Sequence, residues 1–221
     1  MPLRTLVFDF DGTLHDCSLI YPAAVRYGYA WLVEQGLAPT RCISDAECVR
    51  YIGFTAKDMW ADFAPGLADE AWQHAAALVG QAMDAQISQG KAHLYPGVPQ
   101  ALDKLTQEGY QLVFLSNCRD AYQLAAREAF GLDQWFSGYY YAEKYPGLPK
   151  ERIFDDIARA FPSDFAMIGD RASDKRVSDV HGIPFVACTY GYGTAEEWKG
   201  SDAFAHSASE IPACIEKLAA E

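Results

Sequence analysis

The sequence predicts an α/β fold, a parallel sheet flanked by helices and interrupted early by an all-helical insertion. Three observations carry this. Apolar runs of strand length alternate with helical stretches of about 10 to 15 residues, the pattern of βαβ units. Three of those runs end in polar residues: Asp9 and Asp11, Ser116 and Asn117, and Asp170. From about residue 19 to 93 no strand candidate occurs.

Residues 3–8 form the first strand, an apolar run ending in Asp9-Phe10-Asp11-Gly12. In an extended chain Asp9 and Asp11 point to one side, Phe8 and Phe10 to the other. Gly12 permits the reversal that follows. Residues 21–35 read as a helix with Ala24, Tyr27, Trp31 and Leu32 at helical spacing, stopped by Gly36. Ser44-Asp45-Ala46-Glu47 has the form of a capping box and opens a second helix ending near Gly53. Residues 55–63 and 69–89 follow as a short and a long helix.

The texture then reverts. Residues 98–107 form an amphipathic helix, 111–115 a buried strand, 120–130 a helix and 138–142 a short strand. Residues 151–160 are helical with an apolar face at Ile153, Ile157 and Ala160. Strands at 165–168, 183–188 and 203–204 and a closing helix at 209–220 complete the chain.

Composition narrows the function. A chain of 221 residues, 50% hydrophobic, can bury a full core. It has no run of roughly 18 apolar residues and no signal-peptide pattern, which predicts a cytoplasmic protein without a membrane segment. With 18 basic against 30 acidic residues, a nucleic-acid surface is not expected. The six cysteines form no C-x-x-C pair and read as reduced thiols. Nothing chooses between monomer and homodimer.

Two carboxylates held close together stay ionised only if a cation lies between them. Oxygen donors without nearby His or Cys favour a hard ion, Mg²⁺ before Zn²⁺. The alternative is an ordinary solvated Asp-Gly turn. In an open parallel sheet ligands bind at the carboxyl ends of the strands, where these polar residues gather.

The motifs resemble those of the haloacid dehalogenase superfamily, in its phosphoglycolate-phosphatase-like branch. Asp9-Phe10-Asp11-Gly12-Thr13-Leu14 resembles its first motif, the strand ending at Ser116 its second, and Ile168-Gly169-Asp170-Arg171-Ala172-Ser173-Asp174 its fourth. The resemblance implies a Rossmann-like core of residues 1–16 and 93–221, a helical cap at 17–92, and a Mg²⁺-dependent phosphatase acting on a small phosphorylated metabolite.

It further implies that Asp9 is the nucleophile and Asp11 the general acid and base. Gly12, Thr13, Ser116, Asn117 and a lysine would contact the substrate phosphate. Asp9, Asp170 and the main-chain carbonyl of Asp11 would hold the metal. Asp174 is either a further ligand, a partner of the lysine, or a helix cap. The lysine is Lys150, which from a helix start beside the sheet can aim its charge at an anion facing that helix end, in preference to Lys144. Tyr27, Trp31 and Trp60 are expected to pack between cap helices, and no histidine is assigned a role. A dehalogenase, a phosphomutase, a phosphonatase using Lys57, and a non-catalytic phosphate-binding module are the alternatives.

Overall fold

The computed structural model describes residues 3–220. The chain forms β1 (Thr5–Phe8), α1 (Tyr21–Glu34), α2 (Asp45–Val49), α3 (Ala56–Phe63) and α4 (Asp69–Ser88). It continues through α5 (Val98–Gln107), β2 (Gln111–Ser116), α6 (Asp120–Phe130), β3 (Phe136–Tyr141) and α7 (Lys150–Ala160). β4 (Phe165–Gly169), α8 (Ala172–His181), β5 (Phe185–Cys188), β6 (Ala203–Ala205) and α9 (Ile211–Ala220) complete it. The six strands pair in the order β3-β2-β1-β4-β5-β6, all parallel.

Alternation along β1 builds a core on each face of the sheet. Leu6 and Phe8 pack with Val98, Leu102 and Ile211 on one side, and Val7 packs with Ile153, Phe154 and Val177 on the other. Because β1 lies between β2 and β4, the topology reverses there and leaves a crevice beyond the carboxyl ends of these strands. Phe8 lies level with Phe114 on β2 and Ile168 on β4, so the three tips emerge together.

Residues 21–88 contribute only helices and turns, as the pattern predicts. The crossings into and out of this insertion run side by side. Tyr95 N donates to Leu14 O at 2.8 Å and Asp16 N to His93 O at 3.0 Å. No helix among the described residues is long and apolar enough to cross a membrane.

The structure differs from expectation in four places. The buried stripe of α1 is Ala24, Val25, Gly28, Tyr29 and Leu32, while Tyr27 is 58% exposed. The helix turned by one position because Gly28, lacking a side chain, lets α1 approach the Ala75 carbonyl and Val79 of α4. α2 stops at Val49, and the chain reaches Gly53 through turns. α8 is a full helix where the sequence offers only a helix cap at Asp174: Asp174 and Ser178 are buried beside Val177, so its inner face is largely polar and carries little hydrophobic periodicity. Strand β3 begins at Phe136 because an irregularity beside Leu112 and Val113 admits an extra residue.

Phe114 is fully buried, with its ring centroid 5.3 Å from Phe10, 6.2 Å from Phe136 and 5.4 Å from Tyr139. Phe114→Ala is expected to lower unfolding free energy by roughly 3–5 kcal/mol in a urea titration, with an unchanged slope.

Candidate active site

At the strand tips three carboxylates and one ammonium are buried together. Asp9 follows β1, Asp170 follows β4, Asp174 lies in the first turn of α8, and their oxygens lie within 4.8 Å of one another. Lys150, the first residue of α7, reaches in between Asp9 Oδ1 at 2.7 Å and Asp174 Oδ1 at 2.6 Å. A cation at a helix N-terminus opposes the helix dipole, so these two carboxylates are what hold it there. Asp174 Oδ2 accepts from the Arg171 amide at 3.0 Å, so this residue caps α8 and also anchors Lys150.

Glycines shape the wall around Asp170. Gly12 has φ +90°, and a Cβ there would collide with the Asp170 carboxylate. One at Gly193 would collide with the Asp170 carbonyl. Thr13 Oγ1 donates to Asp170 Oδ1 at 3.3 Å and the Tyr192 amide to Oδ2 at 2.7 Å.

The electrostatics are out of balance. Three carboxylates against one ammonium leave two negative charges uncompensated when all are ionised. Arg171 lies nearby, but its guanidinium is turned to Glu197 and the Tyr192 carbonyl. Burial, reinforced by Asp174, pushes the Asp9 carboxyl up to about 7, although Lys150 pulls the other way. Burial, with Asp9 and Asp174, raises Asp170 well above the carboxylate range. Burial pulls the Lys150 ammonium down, but Asp174 and Asp9 outweigh it and hold it above its ordinary value. Asp9 Oδ2 is buried with no hydrogen-bond partner among the described residues. A divalent cation held by Asp9 and Asp170 fits both the missing charge and the free oxygen, and the all-oxygen donor set suits a hard ion.

Through Asp9 the cluster borders a cavity of about 400 Å³ between the strand tips and the helical insertion. Asp9, Asp11, Ser116 and Asn117 line its floor, and α3 and α4 line its roof.

The family model for haloacid dehalogenase-like hydrolases matches residues 3–176. The chain belongs to that family. A phosphoglycolate phosphatase of Mesorhizobium japonicum is 32% identical over 107 residues, 47% of this chain and 47% of that protein, so the match spans about half of either. One from Vibrio parahaemolyticus is 27% identical over 238 residues, covering 95% of this chain and 94% of its own. A crystal structure described as a predicted phosphatase from Clostridium acetobutylicum has a TM-score of 0.86 at 21% identity, covering 99% of this chain and 100% of that one. This likeness is one of fold.

Within this family member the residues singled out from sequence divide into two groups. Asp9, Lys150, Asp170 and Asp174 meet. Asp11 does not join them, because β1 ends at Phe8 and the two-residue alternation does not reach it. The loop closes on itself, with Leu14 N and His15 N donating to Phe10 O at 2.8 and 2.9 Å. Asp11 Oδ1 instead accepts from Tyr122 OH at 2.6 Å and lies 2.8 Å from His15 Nδ1.

Of the expected phosphate contacts, Gly12 and Thr13 lie against Asp170, and Ser116 is buried at the tip of β2. Asn117 Nδ2 donates to the Gly53 carbonyl at 3.0 Å and so ties the insertion to the core. Lys144 is exposed, its ammonium 5.8 Å from the Tyr140 ring centroid. His15 and Tyr122 were missed: they touch Asp11 from 4 and 111 residues away, and only the first spacing was visible in sequence. Trp60 is buried and both packs on Phe63 and lines the cavity.

The folded-state value of Asp9 lies above its ordinary 3.8, so its proton stabilises the fold fully below about pH 4, and that contribution is lost as pH rises to about 7. Lys150→Met removes the ammonium from the cluster. Urea unfolding of this variant at pH 8 is expected to show a loss of roughly 3–5 kcal/mol, and a smaller loss at pH 5, where Asp9 and Asp170, both raised by burial, take up protons.

Proposed function

We propose that this hydrolase is a Mg²⁺-dependent phosphomonoesterase working through an aspartyl-phosphate on Asp9. The observation that carries the reading is Asp9 itself, a buried carboxylate with Oδ1 anchored by Lys150 and Oδ2 free at the floor of a cavity. Relatives named phosphoglycolate phosphatase support a phosphate ester as the substrate.

In this reading residues 1–16 and 93–221 form the catalytic core, residues 17–92 its cap, and the protein acts in the cytoplasm on a small phosphorylated metabolite. Lys150 fixes the orientation of the Asp9 carboxylate and offsets part of the charge of an incoming phosphate. Asp9 attacks phosphorus as the bond to the leaving oxygen breaks, and water then cleaves the acyl-phosphate to free inorganic phosphate and restore the carboxylate. Asp11, held by Tyr122 and lining the cavity, gives a proton to the leaving alkoxide and later takes one from the water.

Gly12, Thr13 and Ser116 surround the phosphate, and Asn117 serves by holding the loop above it. Asp9, Asp170 and the main-chain carbonyl of Asp11 would hold Mg²⁺, with Asp174 positioning Lys150 behind them. The bound ion supplies Lewis-acid polarisation of the phosphoryl oxygens. A phosphonatase would need a cap lysine in the cavity, whereas Lys57 is exposed and off its wall.

Phosphate release from phenyl phosphate is expected to require Mg²⁺, to stop in EDTA and to return when Mg²⁺ is restored. Asp9→Asn is expected to lose on the order of 10⁴-fold in kcat. Undiminished release in EDTA, or by the Asn variant, discards the reading. Because protons compete with the cation for Asp9, the rise in Tm on adding Mg²⁺ is expected to be larger at pH 8 than at pH 5.5.

A further inference from the structure

The walls of the cavity say what kind of ester fits it. Its roof is apolar and aromatic, with Ile52 and Phe54 from the α2–α3 loop, Met59 and Trp60 from α3, and Trp72 and Met83 from α4. An apolar cavity of about 150 Å³ already accepts benzene, so about 400 Å³ holds a phosphate and a ring together.

The charges facing it are unfavourable to a second anion. Asp9, Asp11 and Glu143 all line the cavity, and Arg119 is the one basic residue on its wall among the described residues. Arg119 is already engaged. Its Nη2 donates to Asp84 Oδ2 at 2.8 Å, and its guanidinium lies against Gly80 so closely that a Cβ there would collide with it. Of the other cap cations, Arg50 is spent on Asp62 at an exposed pair, Arg41 is paired with Glu47, and neither lines the cavity. A carboxylate carried under this roof would lose its water against an apolar wall and beside Glu143, while Arg119, the basic residue of the described lining, is already paired.

We infer that the preferred substrate is a phosphomonoester whose leaving alcohol is uncharged and carries an aromatic or similarly sized apolar ring, in contrast to the two-carbon acid that gives the relatives their name. The inference rests on the phosphomonoesterase reading and deepens it. The Asn117 bond to Gly53 and the stacking of Arg171 over Phe54, 5.0 Å from guanidinium carbon to ring centroid, hold the α2–α3 loop in place over the phosphate site. An apolar group attached to the phosphate therefore meets Ile52 and Phe54 first.

Benzyl phosphate and 2-phosphoglycolate test this directly, since each releases a primary alkoxide and they differ in a ring against a carboxylate. With Mg²⁺ and the full chain, kcat/KM for benzyl phosphate is expected to exceed that for 2-phosphoglycolate by roughly tenfold or more. Equal or reversed efficiencies overturn the inference while leaving the phosphatase reading intact. Asp84→Asn keeps the shape but frees Arg119, and is expected to lower that ratio by about threefold. An unchanged ratio overturns the part assigned to the Arg119–Asp84 pair. If no ester, phenyl phosphate included, releases phosphate, the phosphatase reading fails on its own. Calorimetric titration with benzylphosphonate and phosphonoacetate then decides the ligand class, tighter binding of the first supporting it and of the second overturning it.

Discussion

The surplus of negative charge buried at the tips of β1 and β4 is the constraint on which the rest of the molecule depends. Asp9, Asp170 and Asp174 are out of water with a single ammonium among them, an arrangement that is costly in an apolar interior unless further positive charge arrives. The fold supports it by supplying fixed donors. The Tyr192 amide, the Arg171 amide and the Thr13 hydroxyl each point a hydrogen at one of these carboxylates. Glycines at 12 and 193 let the backbone come close enough to place them. A site that is short of charge and ordered in advance is suited to receive a cation and then an anion.

In the proposed reading, chemistry and selection are separated along the chain. The floor comes from the tips of the sheet, backed by Lys150 of α7 and Asp174 of α8, both buried behind Asp9. The roof comes from a helical insertion joined by two adjacent crossings and by a few polar ties, Asn117 to Gly53 and Arg119 to Asp84. The Arg119–Asp84 pair is partly exposed, so it contributes modestly to stability. In the proposed reading its greater effect is on the charge seen inside the cavity. Substitutions in the roof can therefore change what is bound without disturbing the strand tips.

The linear pattern was most informative where local physics decides the outcome. Strands of apolar residues, the glycine after the first acidic run and the strandless segment between them gave the parallel core and its insertion. Lys150 was preferred over Lys144 on its place at a helix start, and the structure buries the first and exposes the second. Helix α8 escaped because what it buries is chiefly Asp174 and Ser178, which no hydrophobic period marks. The face of α1 was read one step off because a glycine, invisible to a hydrophobic count, is what lets two helices touch.

What the sequence alone determined is the kind of chemistry available: acids delivered to the ends of buried strands, where alternation and turn propensity act over a few residues. Only the tertiary structure decided the company each acid keeps. Asp9 and Asp11, two positions apart, face different neighbours, Lys150 for one and Tyr122 for the other. Those partners lie more than a hundred residues away, and the register of β1 against β2 and β4, together with the packing of α6 and α7 on opposite faces of the sheet, brings them into reach.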